Sequence, residues 1–145
     1  MSTGGVVGAA RRWKVGVAMT PHPATVLATD SCCDVRRLLG EDWTDPVPVV
    51  SPPGLFVGVL RRRALDAACR SGSHHETGPT RIAEIMDHRA LTVAVDDDLA
   101  IAHALMEVRQ VHRLPVLDGH MHVVGLLDRP VPQPRRSAPR LWKEQ

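Results

Sequence analysis

Aromatic side chains are almost missing: 145 residues contain no tyrosine, one phenylalanine and three tryptophans. Proteins that hold single-stranded nucleic acid stack its bases on aromatic platforms, so that mode of binding is excluded. A formal net charge of +2 does not restore it. The basic residues gather at Arg11, Arg12 and Lys14, at Arg61 to Arg63 and in the tail, and such runs are usually solvated faces. Long apolar runs are missing too: none approaches the roughly 20 residues that span a bilayer. The N-terminus carries its charges after a short apolar stretch, the reverse of a secretory signal. No membrane and no nucleic-acid partner is expected, and the expected location is cytoplasmic.

Cysteine is scarce as well. Cys32 and Cys33 are neighbours, Cys69 stands apart, and no Cys-x-x-Cys pair occurs, which reads as reduced, mostly buried thiols. His74-His75-Glu76 and His120-Met121-His122 offer imidazoles but no closed four-ligand spacing, so no metal site is expected. Serine, histidine and aspartate are present, but no serine stands in a nucleophile-elbow context. No catalytic constellation is found, and the chain is not expected to be an enzyme.

What the sequence does contain is itself, twice. Met19 aligns with Met86, an offset of 86 − 19 = 67 residues. The same offset pairs Thr25 with Thr92, Asp30 with Asp97, Leu38 with Leu105, Pro48 with Pro115 and Gly58 with Gly125. An ungapped register that aligns turns, caps and hairpins together is an internal repeat. Each copy predicts a short strand (Thr25–Leu27; Thr92–Val95) and then a capping cluster, Thr29-Asp30-Ser31 or Asp96-Asp97-Asp98. A helix follows, with Cys32, Val35, Leu38 and Leu39 or Leu99, Ala102, Leu105 and Met106 on its apolar face. Gly40 offers a stop for the first helix. A hairpin closes each copy, turning at Ser51-Pro52-Pro53-Gly54 or Asp118-Gly119-His120. Pro48 and Pro115 lack a donor N–H and so predict a sheet edge or a strand start. One copy is too small to bury its apolar face alone, whereas two packed sheet to sheet can do so. The chain divides into a first unit at 13–70, a Gly/Ser/Pro-marked linker at 71–80, a second unit at 81–131 and a basic, proline-rich tail at 132–145. That tail is read as disordered, with Trp142 its one anchor.

These residues resemble a tandem pair of cystathionine β-synthase (CBS) domains, a Bateman module. The second unit carries the likeness in Ile82-Ala83-Glu84-Ile85-Met86, Leu91-Thr92-Val93, His112-Arg113-Leu114-Pro115-Val116-Leu117-Asp118 and Val123-Val124-Gly125-Leu126-Leu127. The first carries it in Val15-Gly16-Val17-Ala18-Met19-Thr20 through Gly58-Val59-Leu60. The resemblance implies an α+β fold of two pseudo-twofold-related β-α-β-β(-α) repeats packed sheet to sheet. It also implies a stand-alone, non-catalytic regulatory or sensor module, acting on an unidentified protein. Such modules bind adenosine-containing ligands such as AMP, ATP or S-adenosylmethionine in two clefts, and stack as homodimers through helices, here those with Leu38 and Leu105.

The family's ligand signature is a glycine, a hydrophobic residue, any residue, Ser or Thr, two more, then Asp. A hydroxyl and a helix N-terminus hold phosphate, and the carboxylate accepts from the ribose hydroxyls. Here Arg61 and Ala64 stand at the hydroxyl and carboxylate positions of the first copy, and Asp128 and Val131 at those of the second. Both ribose carboxylates are missing. Arg61, Arg62 and Arg63 would attract a phosphate that Asp128 would repel. Pro130 and Pro132 argue against a regular helix after the second hairpin. Thr25, Val26 and Pro48 in the first copy, with Thr92, His112 and Arg113 in the second, complete the candidate ligand-binding set. The alternative is a structural or protein-interaction module that has lost nucleotide binding. Trp43 fits either a dimer face or the core.

Overall fold

The computed structural model describes residues 12–70, 74–75 and 78–130. The tail, Pro132, Val131 and most of the linker lie outside the described residues. A short helix α1 (Val15–Ala18) leads to β1 (Thr20–Pro21), β2 (Val26–Leu27), α2 (Cys32–Leu39), β3 (Val47–Ser51), β4 (Leu55–Leu60) and α3 (Arg62–Arg70). A two-residue hairpin, β5 (His74–His75) with β6 (Gly78–Pro79), crosses the linker region. A 3₁₀ turn (Ile82–Glu84) then leads to β7 (Val93–Ala94), α4 (Leu99–Arg109), β8 (Arg113–Leu117) and β9 (Val123–Asp128). The β-α-β-β order occurs twice, in two sheets ordered β2-β3-β4 and β1-β9-β8-β7. Among the described residues no helix is long and apolar enough to cross a membrane.

The repeated sequence builds repeated local chemistry. Asp30 accepts the Leu27 N–H at 3.1 Å, and its counterpart Asp97 accepts the Ala94 N–H at 2.8 Å, so each carboxylate tightens the turn out of the first strand. One residue on, Ser31 caps α2 through the Asp34 N–H and Asp98 caps α4 through the N–H groups of Ala100 and Ile101. Gly40 ends α2 at φ +69°, and Gln110 ends α4, also at positive φ, in the left-handed helical conformation. Both hairpins carry a bulge at matching positions, Val49/Val50 and Val116/Leu117.

Two local expectations are corrected. Leu38 is 78% exposed. Of the four residues expected on the inward face of α2, Cys32, Val35 and Leu39, four residues after Val35, pack on the core, and Leu38 alone points away from it. A sheet edge or a strand start is the expectation for Pro48 and Pro115: β3 and β8 are middle strands, which rules out the edge, and the prolines stand second in β3 and third in β8, near the strand starts. They are tolerated there because the parallel neighbours β2 and β7 join only at Val49 and Val116, one residue later. Opposite Pro48, Val59 turns both backbone groups away to Asp87, so no ladder bond is lost.

The two repeats exchange their lead-in segments. Val15, from ahead of the first repeat, is fully buried in a core with Val93, Met106, Leu114, Val116 and Leu127 of the second. Ile82, from ahead of the second, is fully buried in a core with Val26, Val35, Val49, Leu60 and Leu65 of the first. The backbone repeats the exchange bond for bond. Val15 N–H donates to Asp97 C=O and Ile82 N–H to Asp30 C=O; Leu99 N–H donates to Trp13 C=O and Cys32 N–H to Thr80 C=O. Thr20 pairs with Leu126 on the second sheet as Asp87 pairs with Val59 on the first. Gly58 and Gly125 permit this approach: a Cβ on Gly58 would lie 2.9 Å from the Asp87 carbonyl oxygen, and one on Gly125 2.9 Å from that of Thr20.

Candidate functional site

Where the repeats meet, the end of β4 faces the start of β8. Val59 and Arg61 from the first repeat line a cleft with Leu91, Val111, Arg113 and Pro115 from the second. Its cavity is about 30 Å³, which is the share of one water molecule in the liquid. Sites for drug-sized ligands measure roughly 300–1,000 Å³, so this cleft is closed.

Ionic and backbone contacts hold it shut. The Arg113 Nε donates to Asp128 Oδ1 at 2.6 Å, and its Nη1 donates to the Asp45 carbonyl at 2.7 Å, joining the second hairpin to the loop ahead of the first. Arg61 pairs with Asp87 at 3.3 Å. Both partners are about half exposed, so the pair contributes less than ~1 kcal/mol. The Asp87 carboxyl sits below its usual range, chiefly because the Arg89 N–H donates to it and also because of Arg61, against some desolvation. Arg62 is turned the other way: its Nη2 donates to the Trp43 carbonyl at 2.8 Å and its guanidinium stacks 4.5 Å from the Trp43 ring centroid. Its backbone N–H, at the start of α3, donates to Asp45 Oδ1 at 3.1 Å. A carboxylate of the chain itself therefore sits where a bound phosphate would meet that helix.

Of the candidate residues, Arg61 and Arg113 line the closed cleft. Asp128 is exposed and ion-paired with Arg113, so its charge is partly neutralised. Arg63 and Thr25 are exposed, Thr92 is half-buried, Val26 lies in the first core, and Pro48 is buried. His112 is exposed, and its carbonyl accepts the Arg129 N–H at 2.8 Å. Val131 lies outside the described residues. Trp43 packs against the first core. At the second turn, Asp118 accepts the backbone N–H groups of His120 and His122 at 2.8 and 2.9 Å, which hold its carboxyl below the usual range. Among the described residues no three metal-capable side chains converge.

Sequence reasoning missed Asp45 and Asp87. Asp87 stands at the repeat position of Thr20, and that break in the register is a readable signal. Asp45 carries none, because its partners, Arg62 and Arg113, lie 17 and 68 residues away.

Residues 82–129 match the family model described as CBS domain. A curated relative, the homoserine O-acetyltransferase of Methanocorpusculum labreanum, is 30% identical over 109 residues, covering 75% of this chain and 21% of that protein. The chain spans about a fifth of the length of the curated relatives it matches. Among solved structures, CBSX2 in complex with AMP is 25% identical with a TM-score of 0.67, over 91% of this chain and 97% of that one. The cytosolic domain of the Mg²⁺ channel MgtE in complex with ATP is 28% identical with a TM-score of 0.68, over 85% of this chain and 49% of that one.

Proposed function

Because this chain is a tandem CBS-domain pair, we propose that it is a regulatory module, not a catalyst, in which adenosine-containing ligands are held weakly at best. The AMP and ATP complexes of its structural neighbours support the ligand class. One observation supports weak binding: the cleft between Arg61 and Arg113 has room for about one water. A nucleotide would have to break the Arg113 contacts to enter, and it would then find Ala64 where the ribose needs a carboxylate. That missing charge-assisted bond costs about 1.5–3 kcal/mol, roughly tenfold to a hundredfold in affinity. Thermal-shift titration with AMP, ATP and S-adenosylmethionine tests this. A ligand at 100 Kd adds about 2.7 kcal/mol, so binding at millimolar Kd leaves the midpoint unmoved at about 0.1 mM ligand. A clear shift at about 10 µM nucleotide would overturn the reading.

Output then runs through association, with a second copy and with a regulated protein. Large apolar side chains stand exposed on two helices: Leu38 at 78%, Ile101 at 68% and Val108 at 76%. Ile101 and Val108 are two turns apart on α4, with Leu105 half-buried between them. A homodimer joined through these helices covers them. Sedimentation equilibrium should give twice the chain mass for the wild type and a monomer for Val108→Asp. A wild-type monomer at high micromolar concentration would sink the proposal.

A further inference from the structure

The first repeat carries a pair of thiols that the ligand reading leaves unused. A helix that follows a strand runs back along it, and β3 and β4 are antiparallel, so α2 (before β3) and α3 (after β4) pack antiparallel on the same sheet. Their crossing is marked by the Arg36–Asp66 ion pair at 3.4 Å, and the same arginine lies beside Cys69 in one groove. Cys33 is one helical turn before Arg36, and Cys69 is one turn after Asp66. In antiparallel packing those two steps lead in the same direction along the pair, so Cys33 and Cys69 lie at about one level of it. The surface groove between the helices agrees, being lined by Cys33, Arg36, Arg37, Gly40 and Cys69. Both sulfur-bearing residues are half-buried and open to that groove.

Cys32 is different. It points into the first core with no exposure, and burial, helped by the neighbouring Cys69, pushes its thiol up to about 11. It is therefore protonated at neutral pH and shielded from reagents.

We propose that Cys33 and Cys69 form an oxidant-reactive thiol pair, which a peroxide converts into a disulfide tying α2 to α3. The Cys69 sulfur attacks a peroxide oxygen, the O–O bond breaks, and sulfenic acid forms with release of water. The Cys33 sulfur then attacks the sulfenic sulfur, an S–S bond forms, and the oxygen leaves as a second water. The two thiols are oxidised by two electrons in all, and the peroxide takes up both. Reactive cysteines occupy partly exposed settings beside positive charge, and here Arg36 and Arg37 line the groove, each also paired with a carboxylate, Asp66 and Asp34.

The inference stands apart from the ligand proposal and is tested without any nucleotide. The full chain is treated with hydrogen peroxide, alkylated under denaturing conditions and weighed by mass spectrometry. The wild type should lose two hydrogens, and its alkylatable thiols should fall from three to one. Cys69→Ser and Cys33→Ser should each abolish the Cys69-containing cross-link. A cross-link that survives Cys33→Ser would place the bond at Cys32 and overturn the assignment. So would a wild type that keeps three alkylatable thiols or stops at a singly oxidised Cys69.

Discussion

Ile82→Ala should lower the unfolding free energy by about 2–5 kcal/mol, the range for emptying an isoleucine-sized space in a close-packed core. Ile82 has no exposure, and it packs in the core of the first repeat although it belongs to the lead-in of the second. The residues around it come from β2, α2, β3, β4 and α3, so the cavity is walled on every side and collapses poorly. At this chain length each kcal/mol moves the melting midpoint by about 2–4 °C, which puts the expected fall at about 4–20 °C. Trp43, packed on that core and stacked under Arg62, provides the fluorescence signal for denaturant unfolding. A loss below about 1 kcal/mol would mean that Ile82 is not seated in that core.

Gly125→Ala should cost about 1–3 kcal/mol through overpacking, although it adds only one methyl group. The new Cβ would lie 2.5 Å from the Met19 sulfur and 2.9 Å from the Thr20 carbonyl oxygen. Met19 can swing aside, but Thr20 is backbone paired to Leu126 and cannot. The clash is relieved only by lifting β1 off β9, so amide hydrogen exchange should speed up at Thr20 and at Leu126 opposite it, and leave β3–β4 protected. Gly58→Ala is the counterpart, with Asp87 as the displaced backbone. Equal exchange acceleration in both sheets for either variant would contradict the local account.

The repeat, the caps and the hairpins were legible in the residues because each is written within a few positions of itself. Asp30 and Asp97 announce turns, Ser31 and Asp98 announce helix starts, and the short apolar runs around Val49 and Val116, each ahead of a polar turn, announce strands. The partner of each lead-in was not legible. Val15, Met19, Ile82 and Met86 declare by their hydrophobicity that they are buried, but nothing in that pattern says in which core. The candidate site was less legible still. Arg61 to Arg63 read as a phosphate-attracting run, yet Arg61 meets Asp87 and Arg62 turns to Trp43. Those contacts join residues 26 and 19 apart in sequence, and spacing carries no such information. Leu38 misled for a different reason: near a helix terminus, a stripe of four apolar residues does not distinguish a side chain over the sheet from one beyond it.

The crossed lead-ins also order events on the ribosome. The segment around Val15 is made first, but its core mates Leu114, Val116 and Leu127 are among the last described residues to be made. The first repeat cannot close its own core when its last helix emerges, because Ile82 is still to come. A nascent chain stopped between α3 and Ile82 therefore holds neither core. The first closes once the 3₁₀ turn has cleared the exit tunnel, and the second waits for β9. For most of its synthesis the helix at Val15–Ala18 is an apolar segment without its core mates.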